Sequence, residues 1–200
     1  VSILLLFLAL HLGVRRLPAL AGALWFAAHP VHAEAIFFAV NREELLCAAF
    51  VLAAIRAALP GPVAPDARAG FPARAGSPVR ATVIVFVLSA LALLSKETAA
   101  TLLMILVALP FLSARAPTRL WTVGTIVAAL VTLVGYLVLR WGVLGRIGAA
   151  HIPWQDNPLV GANLADRLAS ALVLVWEAVG LLVAPVGLTV DYGFDVLGLP

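Results

Sequence analysis

The chain has 200 residues, of which 64% are hydrophobic and 12% are charged, with a formal net charge of +3. Soluble domains are roughly half apolar and a quarter charged, so this composition excludes an ordinary soluble domain and predicts an integral membrane protein. The basic residues are dispersed at the ends of apolar runs without interleaved aromatic residues, which argues against nucleic acid as a partner and indicates contact with membrane lipids.

Seven apolar segments have the length and the scarcity of charge expected of transmembrane helices. In chain order they cover residues 1–13, 17–28, 35–59, 81–95, 98–114, 120–140 and 168–187. The sequence therefore predicts an all-α fold, a polytopic transmembrane bundle of about six or seven spans. Several segments are shorter than the about 20 residues that a bilayer requires, so we expect tilted, broken or re-entrant helices.

Lys and Arg in the connections predict a multi-pass topology. If Arg15 and Arg16 lie in the cytoplasm, so do residues 60–80 and 115–119, whose several arginines are accompanied by one acid, Asp66. Residues 60–80 are rich in Pro, Gly and Ala and are predicted to form a flexible cytoplasmic linker. The opposite side then receives the connections 29–34, 95–98 and 141–166.

The densest polar group is HPVHAEAIFFAVNREELL, residues 29–46. Pro30 suits the first turn of a helix, and one continuous helix from Pro30 to Leu59 is predicted. Four of its polar side chains share one face, with Glu43 on the opposite face: Glu34, Asn41, Arg42 and Glu44. Ionisable residues on a membrane helix are functional candidates; the alternative is interfacial capping, in which these groups only position the helix.

The first polar group also contains two histidines and is followed by the only cysteine. His29 and His32 lack a third ligand at metal-site spacing, and Pro30 distorts the turn between them, so no metal site is predicted. The two rings are interpreted as hydrogen-bonding partners of a phosphate or a sugar hydroxyl, or as packing groups. Cys47 alone builds neither a disulfide nor a thiolate metal site within the chain.

The second polar feature is LLSKETAATLL, residues 93–103, which places Lys96 and Glu97 between two apolar runs. Charges at mid-membrane cost several kcal/mol, so a helix break is predicted there. Ser95 would cap the second helix, and Lys96 would present its ammonium to a phosphate. The alternative is a local pair between Lys96 and Glu97.

Two weaker signals follow. HIPWQDNPL, residues 151–159, contains side-chain types that stack on and hydrogen-bond to sugars, although a Trp at a membrane interface is also ordinary. Asp191 and Asp195 follow the last apolar segment.

HPVHAEAIFFAVNREELL and LLSKETAATLL together resemble the membrane region of the transmembrane and tetratricopeptide-repeat O-mannosyltransferase (TMTC) family and its bacterial relatives, which are GT-C type glycosyltransferases. The later order of Asn157-Pro158, an apolar helix and Asp191-Tyr192 is similar too, so the resemblance covers most of the chain. It implies transfer of a sugar from a polyprenyl-phosphate carrier to a protein or other acceptor on the extracytoplasmic side. The membrane would be a bacterial inner membrane or that of the endoplasmic reticulum, and no cofactor beyond the lipid-linked donor is implied.

The resemblance also implies roles for individual residues. Catalytic carboxylates would be Glu34 and Glu44. Substrate or phosphate ligands would be His29, His32, Arg42, Lys96 and Glu97. Asn41 and Glu43 depart from the commoner Gly and small residue at their positions.

Residues 1–200 are expected to form a partial glycosyltransferase-like membrane domain. GT-C enzymes carry a key acid in their first extracytoplasmic loop, and the chain is expected to begin after that loop. Two other functions remain open: a transporter or flippase of a lipid-linked anion, and a non-catalytic anchor for a repeat domain. Acids in the upstream loop would favour the enzyme, and inverted internal symmetry would favour the transporter.

Overall fold

The computed structural model describes residues 1–32, 35–36, 41–59, 77–112, 118–145 and 161–186. Across these ranges the regular secondary structure is helical, without a β-strand, which confirms the predicted all-α class. Residues 60–76 of the predicted linker lie outside the described part of the chain.

Each predicted apolar segment overlaps one α-helix. In chain order the elements are α1 (Ser2–His11), α2 (Arg16–Ala28), a 3-10 turn (Pro30–His32), α3 (Arg42–Ala58), α4 (Pro78–Ser95), a 3-10 turn (Glu97–Ala100), α5 (Thr101–Leu112), α6 (Arg119–Leu144) and α7 (Leu164–Val183). The last residues assigned to the linker are thus helical, because Pro78 occupies the first turn of α4, where its fixed φ favours initiation.

Two of the described helices, α4 and α6, are long and apolar enough to cross a membrane. Helices α1 and α2 and the stretch Glu97–Phe111 are apolar but shorter. In the most apolar 18-residue stretches of α4 and α6, 28% and 22% of the residues are buried, whereas the core helix of a soluble protein is mostly buried. Much of the apolar surface of these two helices therefore faces outward. Because only two described helices are long and apolar enough to cross a membrane, the bundle of six or seven spans stays a prediction.

The prediction of one continuous α-helix from Pro30 is wrong. The segment Pro30–His32 is a 3-10 turn, and α3 begins at Arg42. Proline disfavours helical geometry in the residue before it, and His29 is accordingly extended, with φ −70° and ψ 122°. The His29 ring then accepts a hydrogen bond from the Val31 amide through Nδ1 at 3.3 Å, which tightens the turn.

Helix α4 lies at the centre of the described fold and packs chiefly against α3 and α6. Its contacts use small side chains, which let helix backbones approach closely in membrane proteins. Among the described glycines, Gly124 of α6 has the least space for a side chain: a Cβ added there would lie 2.5 Å from Thr82 Oγ1 of α4. The buried core includes Ala54, Ala58, Val85, Ala92, Leu102, Leu106, Ala128 and Ala129.

After the buried Trp121 in its first turn, helix α6 buries small and polar side chains and exposes apolar ones. Thr125 and Thr132 are buried, and their hydroxyls donate to carbonyls of the same helix. The exposed side chains are larger and aliphatic, among them Leu130, Val131, Val134 and Val138. This distribution suits an apolar surrounding medium better than water.

Candidate functional site

The predicted helix break at residues 95–98 is present. Helix α4 ends at Ser95, Lys96 is extended with φ −157° and ψ 140°, and a 3-10 turn leads into α5. The predicted cap by Ser95 is wrong, because its hydroxyl donates to the Leu91 carbonyl at 2.8 Å and is turned back along α4. Thr98 lies over the buried Cys47, with Oγ1 and Sγ 3.8 Å apart.

Lys96 joins this break to the first turn of α3. Its Nζ lies 3.2 Å from Glu43 Oε1 and forms a second ion pair with Glu44 Oε1. The prediction that Glu43 points away from the functional face is therefore wrong. It rested on the face of a continuous helix that included Glu34, whereas the long Lys96 side chain approaches from another helix and reaches both neighbouring carboxylates.

Arg140 of α6 holds the other side of the break. Its Nη1 donates to Glu97 Oε2 and, at 2.9 Å, to Tyr136 Oη. Glu97 is thus paired with α6, and the predicted alternative of a local pair with Lys96 is wrong. The guanidinium Nε of Arg140 is buried and has no hydrogen-bond partner among the described residues.

Sequence reasoning missed Arg140 and Tyr136. Their signal was an arginine at the end of an otherwise uncharged apolar segment, four residues after a tyrosine. Residues four apart lie on one helix face, so the pair could have been found. Their shared partner, Glu97, is 43 residues distant from Arg140 and could not have been found by spacing.

A polar pocket of about 310 Å³ lies beside the break. It is lined by charged side chains, by the end of α4 and by a tyrosine of α6. These residues are Glu43, Leu93, Leu94, Ser95, Lys96, Glu97 and Tyr136. A second cavity of about 310 Å³ is an apolar groove between α4 and α6, and it shares Leu93, Leu94 and Tyr136 with the polar pocket. Both volumes fall at the low end of the range typical of small-molecule sites.

The charged cluster contains three carboxylates and two cations, which give a formal charge of −1. Hydrogen bonding to Glu44, partly offset by desolvation and aided by Glu43, raises the pKa of Lys96 above its ordinary value. The ammonium is therefore charged at neutral pH. Because the side chains of Glu43 and Glu44 are 49% and 46% exposed, each pair contributes at most about 1 kcal/mol to stability.

The two histidines form a separate cluster at the end of α2. Buried His29 accepts from the Val31 amide through Nδ1, so Nε2 carries the proton and donates to the Leu182 carbonyl of α7 at 3.1 Å. His32 packs against Phe26, with ring centroids 4.2 Å apart. Burial lowers the pKa of His32, and the nearby His29 lowers it further. The described partners of the two rings thus belong to the end of α2, the 3-10 turn and α7.

The remaining candidates are placed as follows. Arg42 is the first residue of α3 and is exposed. Glu34, residues 151–159, Asp191 and Asp195 lie outside the described residues. Within the described ranges, no group of three or more His, Cys, Asp and Glu side chains could hold a metal ion.

The fold and the cluster define a class: an all-helical protein with two helices long and apolar enough to cross a membrane, and with an ion-pair cluster at a helix break. Comparison of the chain with protein-family models, with characterised proteins and with solved structures gives no match.

Proposed function

We propose that the chain is a membrane glycosyltransferase domain that moves a sugar from a polyprenyl-phosphate carrier to a protein or other acceptor on the extracytoplasmic side. The observation that carries this proposal is the ion pair between Lys96 and Glu44. Each residue belongs to one of the two motifs on which the resemblance to the TMTC family rests. Two motifs that meet in one pocket are better explained by a shared site than by two independent structural roles.

The position of the cluster suits a lipid-linked substrate. Lys96 follows the last residue of α4, and Arg140 lies in the last turns of α6. If both helices cross the bilayer, the ends that carry these cations lie near the headgroup level, where the phosphate of a carrier lipid is found. The exposed aliphatic surface of α4 and α6 supports the multi-pass arrangement that this function requires.

The chemistry follows from the groups in the pocket. The acceptor hydroxyl attacks the anomeric carbon of the sugar, the bond from that carbon to the phosphate oxygen breaks, and the carrier leaves as polyprenyl phosphate. A carboxylate takes the acceptor's proton. Lys96 stabilises the leaving phosphate, and Glu43 and Glu44 hold its ammonium in place. The proton goes to a carboxylate on the opposite side of the anomeric carbon, for which Glu34 is the candidate.

The test is sugar transfer by the full-length protein in membranes supplied with radiolabelled polyprenyl-phosphate sugar. We expect Lys96→Met and Glu44→Gln each to reduce transfer by about two orders of magnitude, the range for loss of one charge-stabilising group. Glu34→Gln tests the remaining candidate carboxylate. Glu177→Gln is the matched control, because Glu177 is an exposed carboxylate on α7.

Two results would contradict the proposal: no transfer by the wild-type full-length protein with any lipid-linked sugar, or equal transfer by Lys96→Met, Glu44→Gln and the control at equal expression. Either result would favour a transporter or flippase, which moves the intact lipid across the membrane. In the same samples, such movement would change the fraction of the radiolabelled lipid that is accessible from one side of the membrane.

A further inference from the structure

The apolar groove between α4 and α6 is built from two facing stripes of side chains. On α4 the stripe follows the helical repeat through Phe86, Ala90 and Leu94, and on α6 it follows Val131, Gly135 and Leu139. At 1.5 Å per residue these stripes extend about 12 Å along the helices. The groove is therefore an elongated channel parallel to α4 and α6.

The groove offers no polar group along its length. Its one threonine, Thr132, directs its hydroxyl to the carbonyls of Ala128 and Ala129, at 3.1 and 2.8 Å. Tyr136 stands at the end shared with the polar pocket, and its hydroxyl is held by Arg140. A ligand in the groove is thus recognised by hydrocarbon contact alone until it reaches Tyr136.

We infer that this groove binds the hydrocarbon chain of a lipid whose phosphorylated head lies in the polar pocket at Lys96. The inference rests on the proposed function for the identity of the head, and it adds the residues that seat the chain. Two observations favour a lipid as the occupant. The groove opens on the exposed surface of the two helices that can cross a membrane, and it continues into a pocket that contains an ammonium group.

The charge of the polar pocket refines the chemistry of the head. Its carboxylates outnumber its cations, so a bare phosphate would meet repulsion from Glu43 and Glu97 as well as attraction to Lys96. A head that also carries hydroxyl groups would donate hydrogen bonds to those carboxylates. The favoured ligand is therefore a long-chain lipid with a phosphate and a polyhydroxyl group.

Gly135 provides a direct test because a Cβ built there meets no atom within 4 Å. Gly135→Leu would fill the groove without a collision inside the protein. Gly142→Leu is the matched control: Gly142 lies on the same helix, also meets no atom within 4 Å, and lines neither cavity. Ala90→Leu narrows the groove from α4 and serves if Gly135→Leu does not fold.

The probe is a long-chain polyprenyl phosphate with a photoreactive diazirine in its chain, added to the full chain in lipid nanodiscs. We expect labelled peptides to contain residues 86–94 and 131–139. Filling the groove should reduce labelling about tenfold or more in Gly135→Leu or Ala90→Leu, with Gly142→Leu equal to wild type. An unlabelled lipid that carries a sugar on its phosphate should compete more strongly than the sugar-free lipid.

Equal labelling of Gly135→Leu and wild type would overturn the inference. Equal labelling of the same peptides by a phosphatidylcholine with a diazirine in its chain would also overturn it, because the groove would then be a site for bulk lipid. Labelling requires no transferred sugar. Specific labelling of a protein that transfers no sugar would therefore refute the proposed function alone. If Gly135→Leu changed neither transfer nor labelling, only the assignment of the groove as a lipid site would be refuted.

Discussion

The ammonium of Lys96 donates a hydrogen bond to Glu44 across 52 residues of sequence. This contact ties the break after α4 to the first turn of α3. On the other side of the break, Glu97 is tied to Arg140 of α6. Three helices are thus joined around one polar pocket by side chains from both ends of the break.

The Lys96 and Glu44 contact should contribute little to stability despite its place in the site. Lys96→Met and Glu44→Gln are expected to show a coupling energy of about 0.2–1 kcal/mol, because both side chains are partly exposed. A double-mutant cycle followed by thermal unfolding of the purified protein measures this value. Arg80→Met, at the opposite end of α4, is the control for loss of a cation. Strictly additive effects of the two substitutions would contradict the predicted energetic coupling of Lys96 and Glu44.

The close approach of α4 and α6 should depend on Gly124. In Gly124→Ala the new Cβ collides with Thr82 Oγ1, which is held by the Pro78 carbonyl at 2.9 Å. We expect a loss of about 1–3 kcal/mol in the free energy of unfolding. Adding Thr82→Ala to Gly124→Ala should restore most of the lost unfolding free energy. With Oγ1 removed, the atom of residue 82 nearest to the new Cβ is its own Cβ, at 3.7 Å.

Gly135→Ala is the control for the helix propensity gained by replacing glycine on α6. It meets no atom within 4 Å and should raise stability by about 0.5–1 kcal/mol. Equal stabilities of Gly124→Ala and Gly135→Ala would contradict the close packing.

Trp121 should anchor the end of α3. Its indole Nε1 donates to the Ala58 carbonyl at 2.8 Å, and the ring is buried. Trp121→Phe leaves that carbonyl, one of the last in α3, without its partner, so we expect a loss of about 1–3 kcal/mol. Trp141→Phe, on the same helix but 58% exposed, should change the unfolding free energy by less than about 0.5 kcal/mol. The hydrogen bond would be refuted by the same unfolding temperature in both variants.

His32 should make the end of α2 sensitive to acid. Its folded-state pKa lies below the ordinary value of about 6.5, so the unfolded chain binds more protons. The contribution of neutral His32 to stability is therefore present above pH 6.5 and is lost as the pH falls through the folded-state pKa. Unfolding measured between pH 5 and 8, in steps of about 0.5, should show this decrease in wild type and a smaller one in His32→Gln. A parallel decrease in both would assign the effect to other groups.

Local sequence features predicted the helices well because the signal was strong. An apolar run forms a helix in an apolar medium wherever it can satisfy its own backbone hydrogen bonds, and each of the seven runs overlaps a described helix. The break at Lys96 was predictable for the same reason, since a charged pair within an apolar run is costly. The continuous helix from Pro30 was not observed: Pro30–His32 forms a 3-10 turn, and α3 begins only at Arg42.

The partners of the charged residues were not predictable from spacing. Glu43 was assigned to the far face of its helix, and Arg140 was not considered, yet both belong to the cluster. A helical repeat determines which residues share a face, but the neighbour that the face meets depends on how separate helices pack.

The sequence by itself determined the helical class, the apolar segments and the break after Ser95, because each of these follows from the balance between backbone hydrogen bonding and the hydrophobicity of a short stretch. Only the tertiary structure decided that Lys96 binds Glu43 and Glu44, that Glu97 binds Arg140, and that a groove between α4 and α6 leads to them. Those relationships join residues tens of positions apart. Small side chains such as Gly124 set the distance between the helices, and that distance determines which groups meet.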